Sequence, residues 1–128
     1  MKKITIIFVS LGILIIIVIS VLSCEPDEKY EVSFSHDIQP IFNMKCLDCH
    51  GAGGNANLDL SSYSSLMSGE NNNPPVLIPF QADRSLLYEK VSQQSPSIGD
   101  RMPIGRNPLI SSDIKLIGDW IDQGAKDN

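Results

Sequence analysis

Cys46-Leu47-Asp48-Cys49-His50 constrains this chain more than any other stretch. Two cysteines separated by two residues, with a histidine directly after the second, have the C-x-x-C-H spacing for covalent attachment of a c-type haem. Each thiol adds across one vinyl group, and two intervening residues let both sulfurs reach the vinyls of one porphyrin edge. His50 follows on the same turn, where its imidazole can serve as the proximal iron ligand. A C-x-x-C pair alone also suits a redox disulfide or half of a zinc site. The zinc reading lacks a second ligand pair, because the other histidine is His36 and the other cysteine is Cys24. A thioredoxin-like reading needs strand–helix alternation around the motif, and none is visible. The expected cofactor is therefore one covalent haem c.

The N-terminus supports that reading. Met1-Lys2-Lys3 precedes an uncharged apolar run over residues 4–22, the pattern of an export signal. The run closes on Val21-Leu22-Ser23-Cys24, which resembles a bacterial lipobox, although Leu22 stands where a small residue is usual. Residues 1–23 then form a lipoprotein signal peptide, and Cys24 is the lipidation site. The run also exceeds the roughly 7–15 apolar residues of a signal peptide and approaches the ~20 that span a bilayer. An uncleaved N-terminal transmembrane anchor is the alternative. Both readings place the rest of the chain on the periplasmic side of a bacterial membrane and tether it there. Haem attachment of this type takes place on that side, and with Cys24 on lipid no thiol is left for a disulfide.

What remains is one domain of ordinary small size. Ten basic residues face fifteen acidic ones. Loss of Lys2 and Lys3 with the leader leaves eight basic residues and a balance of −7. Such a surface excludes nucleic acid as a natural partner and favours basic ones. Residues 24–33 read as an acidic tether, with residues 25–32 polar and carrying Pro26. The folded domain is expected over residues 34–128.

Ser35-His36-Asp37 offers caps for a first helix over residues 37–45, with Pro40 tolerated in its opening turn. Ile38, Ile41, Phe42 and Lys45 then share a face that leads to Cys46. Gly51-Ala52-Gly53-Gly54-Asn55 can take positive φ and let backbone approach the porphyrin edge. Residues 61–67 suggest a short helix with Leu58, Leu60, Tyr63, Leu66 and Met67 inward. Residues 69–75 read as a surface loop and 76–80 as a buried extended run. Asp83 or Ser85 should cap a helix through Leu86, Leu87, Tyr88 and Val91. The clearest helix is the last, with Ser111 or Ser112 as cap and Gly124 as stop. Ile114, Leu116, Ile117, Trp120 and Ile121 form its apolar stripe, and Gly118 offers a place for another backbone to approach closely. It should cross the 37–45 helix. Large apolar side chains are few for such a core, so the haem is expected to complete it and the apo-protein to be largely unfolded.

The sixth iron position has four candidates. Met44 lies two residues before Cys46, too close to reach the opposite haem face. Met67 sits in an apolar pattern that suits core packing. His36 stands 14 residues before His50, about 20 Å along a helix axis. Met102, followed by Pro103, is far enough along to wrap around. Arg101 and Arg106 flank it, suited to surface charge or propionate pairing.

Taken in order, the features resemble the planctomycete-type monohaem cytochrome c domain, within the class I cytochrome c fold. The carrying residues are Asp37-Ile38-Gln39-Pro40-Ile41-Phe42, Cys46 to Gly51, Leu58-Asp59-Leu60, residues 76–79, Asp83 with Ser85-Leu86-Leu87, Met102-Pro103-Ile104-Gly105, and Trp120 to Ala125. Phe80 stands where that family often has glycine, and Ile104 where a second proline often follows. The resemblance implies an all-α, cytochrome c-like fold of short helices and loops around one covalent haem. It implies thioether links at Cys46 and Cys49, with His50 proximal and Met102 distal. A His–Met iron leaves no room for substrate, so the expected role is a membrane-tethered electron carrier among membrane or periplasmic redox proteins, not an enzyme. The competing classes are a five-coordinate haem enzyme or gas or redox sensor, should Met102 not bind, and a haem-binding accessory subunit.

Overall fold

The computed structural model describes residues 29–68 and 75–128. The leader, Cys24, the tether through Glu28 and residues 69–74 of the expected loop lie outside the described residues. Glu31–Asn128 forms a unit of its own. Among the described residues there are five α-helices and no strand, so the fold is all-α as expected. We label them α1 (Gln39–Lys45), α2 (Leu47–His50), α3 (Tyr63–Ser68), α4 (Leu86–Ser92) and α5 (Ser111–Asp122). Short 3₁₀ turns occupy Asn55–Asn57 and Ala82–Arg84.

The first helical segment begins earlier than its proline suggests. A π-helical turn, Phe34–Ile38, precedes α1, and its cap is Ser33. The Ser33 hydroxyl accepts the His36 N–H at 3.2 Å, while Asp37 Oδ2 accepts the Ser33 N–H at 2.8 Å. These reciprocal bonds satisfy donors that the helix start leaves free. Pro40 has no N–H to give, and the wider turn takes up that gap: the Gln39 N–H donates to the Phe34 carbonyl, five residues back. Ile38, Ile41 and Phe42 are buried, as their spacing predicts, and Lys45 is exposed.

Val32 corrects the tether boundary, since it is 2 % exposed and belongs to the core. The chain here is clasped to the C-terminus. The Val32 N–H donates to Gln123 Oε1 at 2.8 Å, the Phe34 N–H to Asn128 Oδ1 at 2.9 Å, and the Ser35 N–H to the Asn128 carbonyl at 2.9 Å. Phe34 then packs its ring against Tyr63 and Trp120, with centroids at 5.3 and 5.4 Å.

Helix α5 buries Ile117, Trp120 and Ile121 completely, which confirms the stripe. It packs on the Phe34–Ile38 turn, on α4 and on the Ala82–Arg84 turn, rather than on the body of α1. Neither Ser111 nor Ser112 caps it; Ile110 holds that place without a side-chain bond. Gly124, at φ +103°, ends it, and the Ala125 N–H returns to the Trp120 carbonyl at 2.9 Å. A Cβ on Gly118 would lie 2.8 Å from the Tyr88 ring, so what approaches there is an aromatic side chain from α4 and not the expected backbone.

In the 76–80 run, Val76 and Leu77 are buried, but Phe80 is 69 % exposed, which corrects its expected place in the core. Its φ of +65° explains why glycine suits this position. Gly124 leaves room for its ring, because a Cβ there would lie 2.6 Å from Phe80 Cζ.

Ser85 precedes α4 but makes no cap bond. It is fully buried, and its hydroxyl accepts the Ile78 N–H at 2.8 Å while donating to the Gln81 carbonyl at 2.8 Å. Ser85→Ala would leave a buried N–H without a partner, at about 2 kcal/mol. In a domain of this size that lowers Tm by roughly 8–16 °C. A melt monitored by circular dichroism checks it, and an unchanged Tm would contradict the role assigned to this hydroxyl.

Candidate haem-attachment site

Helix α1 delivers the motif from its C-terminal end. Cys46 closes α1 by donating its N–H to the Phe42 carbonyl at 2.8 Å, and it also opens α2. The Cys46 carbonyl accepts from the Cys49 N–H at 3.1 Å and from the His50 N–H at 2.9 Å. One turn therefore carries both sulfurs and the imidazole. Both thiols are free, with Cys46 half-buried and Cys49 exposed. Burial pushes the Cys46 thiol up to about 11, against the opposing pull of the Arg106 guanidinium and with a smaller push from Cys49. A reactive redox cysteine shows the reverse, a stabilised thiolate. Among the described residues, no cluster of three or more His, Cys, Asp or Glu side chains is suited to a metal ion.

The imidazole is oriented by the glycine-rich run. His50 Nδ1 lies 3.2 Å from the Asn55 carbonyl oxygen. A carbonyl only accepts, so Nδ1 carries the proton and Nε2 keeps its lone pair for a metal. The Asn55 side chain could not reveal this contact, since its backbone carbonyl makes it. The run returns close to the motif: the Gly54 N–H donates to the Gly51 carbonyl at 2.7 Å, and the Leu60 N–H to the His50 carbonyl at 2.8 Å. A Cβ on Gly54 would meet Cys49 O at 2.6 Å, Gly51 O at 2.7 Å and His50 Cα at 2.9 Å. The close approach expected of these glycines is thus to the motif's own backbone.

Backbone atoms cannot swing aside as a side chain can. Gly54→Ala is expected to cost about 2 kcal/mol and to displace the Asn55 carbonyl from His50. Gly53 has open space around it at φ +71°, and Gly53→Ala should cost nearer 1 kcal/mol, from backbone strain alone. Denaturant titration of the two variants compares them directly; equal losses would contradict the steric account.

Met102 is half-buried against the core, and its N–H donates to the Lys90 carbonyl at 2.8 Å. Arg101 Nη2 donates to the Val91 carbonyl at 3.1 Å. Lys90 Nζ donates to the carbonyls of Asp100, at 3.0 Å, and Ile98. The C-terminal end of α4 therefore carries the Met102 segment on carbonyls that a helix end leaves unpaired. Four residues on, Arg106 Nη2 reaches Asp48 Oδ2 at 2.5 Å, inside the C-x-x-C-H turn. This exposed ion pair brings the Met102 segment beside the motif. The other candidates lie elsewhere: His36 is exposed on the first turn, Met44 is 66 % exposed on α1, and Met67 packs on the core from α3.

The donor set fits a haem: two reduced thiols at attachment spacing, an imidazole with Nε2 available, and a thioether on a separately held segment. Leu47 and Leu58 add partly buried apolar surface. A domain of short helices whose first helix ends in such a turn, with a methionine segment tied back to it, is cytochrome c-like. Residues 46–103, from the first attachment cysteine to the proline after Met102, match the family model described as Planctomycete cytochrome C. The match supports a planctomycete-type cytochrome c domain, as the residue pattern implies, and haem c is the cofactor that such domains bind. No curated protein and no solved structure matches the chain. Among the described residues no helix is long and apolar enough to cross a membrane.

Proposed function

We propose that the protein is a membrane-tethered monohaem cytochrome that carries single electrons between exported redox partners. Cys46 and Cys49 would hold one haem c covalently, and His50 and Met102 would be its two iron ligands. The haem supplies a one-electron couple when bound. The chain's part is to keep both ligands in place. His50 is fixed by the Asn55 carbonyl, and Met102 is carried by the Lys90 carbonyl, not by the motif that holds the cysteines. That arrangement carries the reading, because two ligands held by separate elements would both serve the iron when haem is bound and leave no place for substrate. The apolar N-terminal run and Cys24 would tether the protein to the periplasmic side of the membrane, through lipid or an uncleaved helix. An acidic surface, at a formal charge of −5, suits basic redox partners.

The test is stoichiometric. The reduced protein should give up one electron to a small cationic acceptor in a single phase that slows as salt is added, and it should not turn over peroxide. Sustained peroxide turnover by the wild-type protein would make it an enzyme and end the carrier reading.

A further inference from the structure

Phe80 is the most exposed large apolar side chain among the described residues. One bare ring on a surface means little by itself. This one stands on a backbone at φ +65°, which a bulky residue adopts only at a cost. Its N–H is fixed on the Ile121 carbonyl at 2.7 Å, and its ring rests over Gly124. Glycine would make the same turn without strain, so a ring this exposed does little for the domain's own packing. Its place in the fold gives it a use. The chain from the leader enters the domain beside the same C-terminal turn of α5. Glu31 pairs with Lys126 at 2.6 Å, and the Val32 N–H donates to Gln123 Oε1 at 2.8 Å. Gly124, under the ring, directly follows Gln123. Seven residues lead from Cys24 to Glu31, and at ~3.5 Å each they keep this end within about 25 Å of the anchor. The attachment turn lies at the other end of the first helical run. Cys46 comes 12 residues after Phe34, roughly 18 Å at the helical rise.

We propose that Phe80 seats its ring in the headgroup–acyl boundary of the membrane that carries the anchor. It is a second contact, which turns the α5 end of the domain toward the lipid and the attachment turn away from it. A single ring would not hold a free protein to a bilayer. On a short tether the local concentration of lipid is high enough for a weak contact to set orientation. The chain's formal charge of −5 suits a neutral lipid surface better than an anionic one. The inference rests on the tether reading above. A chain that does not enter a bilayer fails that reading, whereas a tethered one can fail this inference alone.

Nuclear magnetic resonance of the full-length, anchored holoprotein tests it, with one copy in each phosphatidylcholine nanodisc. Amide signals are compared between discs with and without a nitroxide on the lipid headgroup. Signal loss should be greatest at Phe80, Gln81 and Gly124 and slight at Cys46 to His50. Phe80→Ser should cut the loss at Gln81 and Gly124 at least threefold, and Phe80→Trp should keep it. Phe80→Gly should lose the contact as Phe80→Ser does, yet melt no lower than the wild type, because it relieves the backbone. Met44→Ser removes an equally bare side chain near the attachment turn and should change nothing. An unchanged pattern in Phe80→Ser, or greatest loss at the attachment turn, overturns the proposal. So does protection of Phe80 that arises only with two copies per disc, which would make the ring a contact between copies. A lower melt of Phe80→Gly with its signal loss unchanged also overturns it, by making the ring a packing residue.

Discussion

Met102→Ala is expected to abolish the weak far-red sulfur-to-iron band of the oxidised protein, open the iron to cyanide and carbon monoxide, and lower the reduction potential. Thioether ligation favours ferrous iron, so its removal should shift the potential down by on the order of 0.1–0.3 V, within the ~0.8 V that axial ligands span. The covalent link is untouched, because Cys46 and Cys49 sit on a different element. Loss of a half-buried methionine should cost only about 1–2 kcal/mol, so the spectral change is not an unfolding signal. Met44→Ala and Met67→Ala serve as controls. The first residue is exposed on α1 and the second packs against the core from α3, so both variants should keep the band. Optical spectra of the four proteins with and without cyanide decide the matter. A Met102→Ala spectrum identical to wild type would remove the ligand argument.

The second large effect concerns the cofactor itself. Cys46→Ser with Cys49→Ser should yield a protein without covalent haem that melts without a cooperative transition. Burying a few hundred Å² of porphyrin at ~25 cal/mol per Å² stabilises a domain by on the order of 5–10 kcal/mol. Small domains have only ~5–15 kcal/mol of total stability, so that term decides whether the fold survives. The described core runs continuously from Val32 to Ala125 and centres on Trp120, Phe42 and Phe34. Cys46, Leu47, Leu58 and Met102 are only partly buried. Circular dichroism melts of the two proteins measure the difference. A cooperative melt at the wild-type temperature in the double variant would show that the polypeptide folds without help.

The residues that name the chemistry are contiguous, and so they were legible. Cys46 to His50 needs no fold to be read, and the stripe from Ile114 to Ile121 on α5 has a period that only a helix satisfies. What escaped reading depends on partners far apart in the chain. Val32 looks like a polar tether's last residue until Gln123 and Asn128 clasp the backbone around it. Ser85 has the position of a cap but spends its hydroxyl on residues 78 and 81. Phe80 interrupts an apolar run because its backbone must turn at positive φ, a demand no hydrophobic pattern records. At the site, the Asn55 carbonyl on His50 and the Lys90 carbonyl beneath Met102 are backbone groups, which any side chain could have presented. Arg101 and Arg106 could be told apart only once Asp48 had taken one of them.

The central claim is best tested by the intact mass, under denaturing conditions, of the full chain made in cells that attach haem c. The account predicts the mature polypeptide plus one haem, resistant to acid extraction and absent from the Cys46→Ser, Cys49→Ser variant. A bare polypeptide whose Cys46 and Cys49 are joined as a disulfide, or whose haem extracts into solvent, would contradict it.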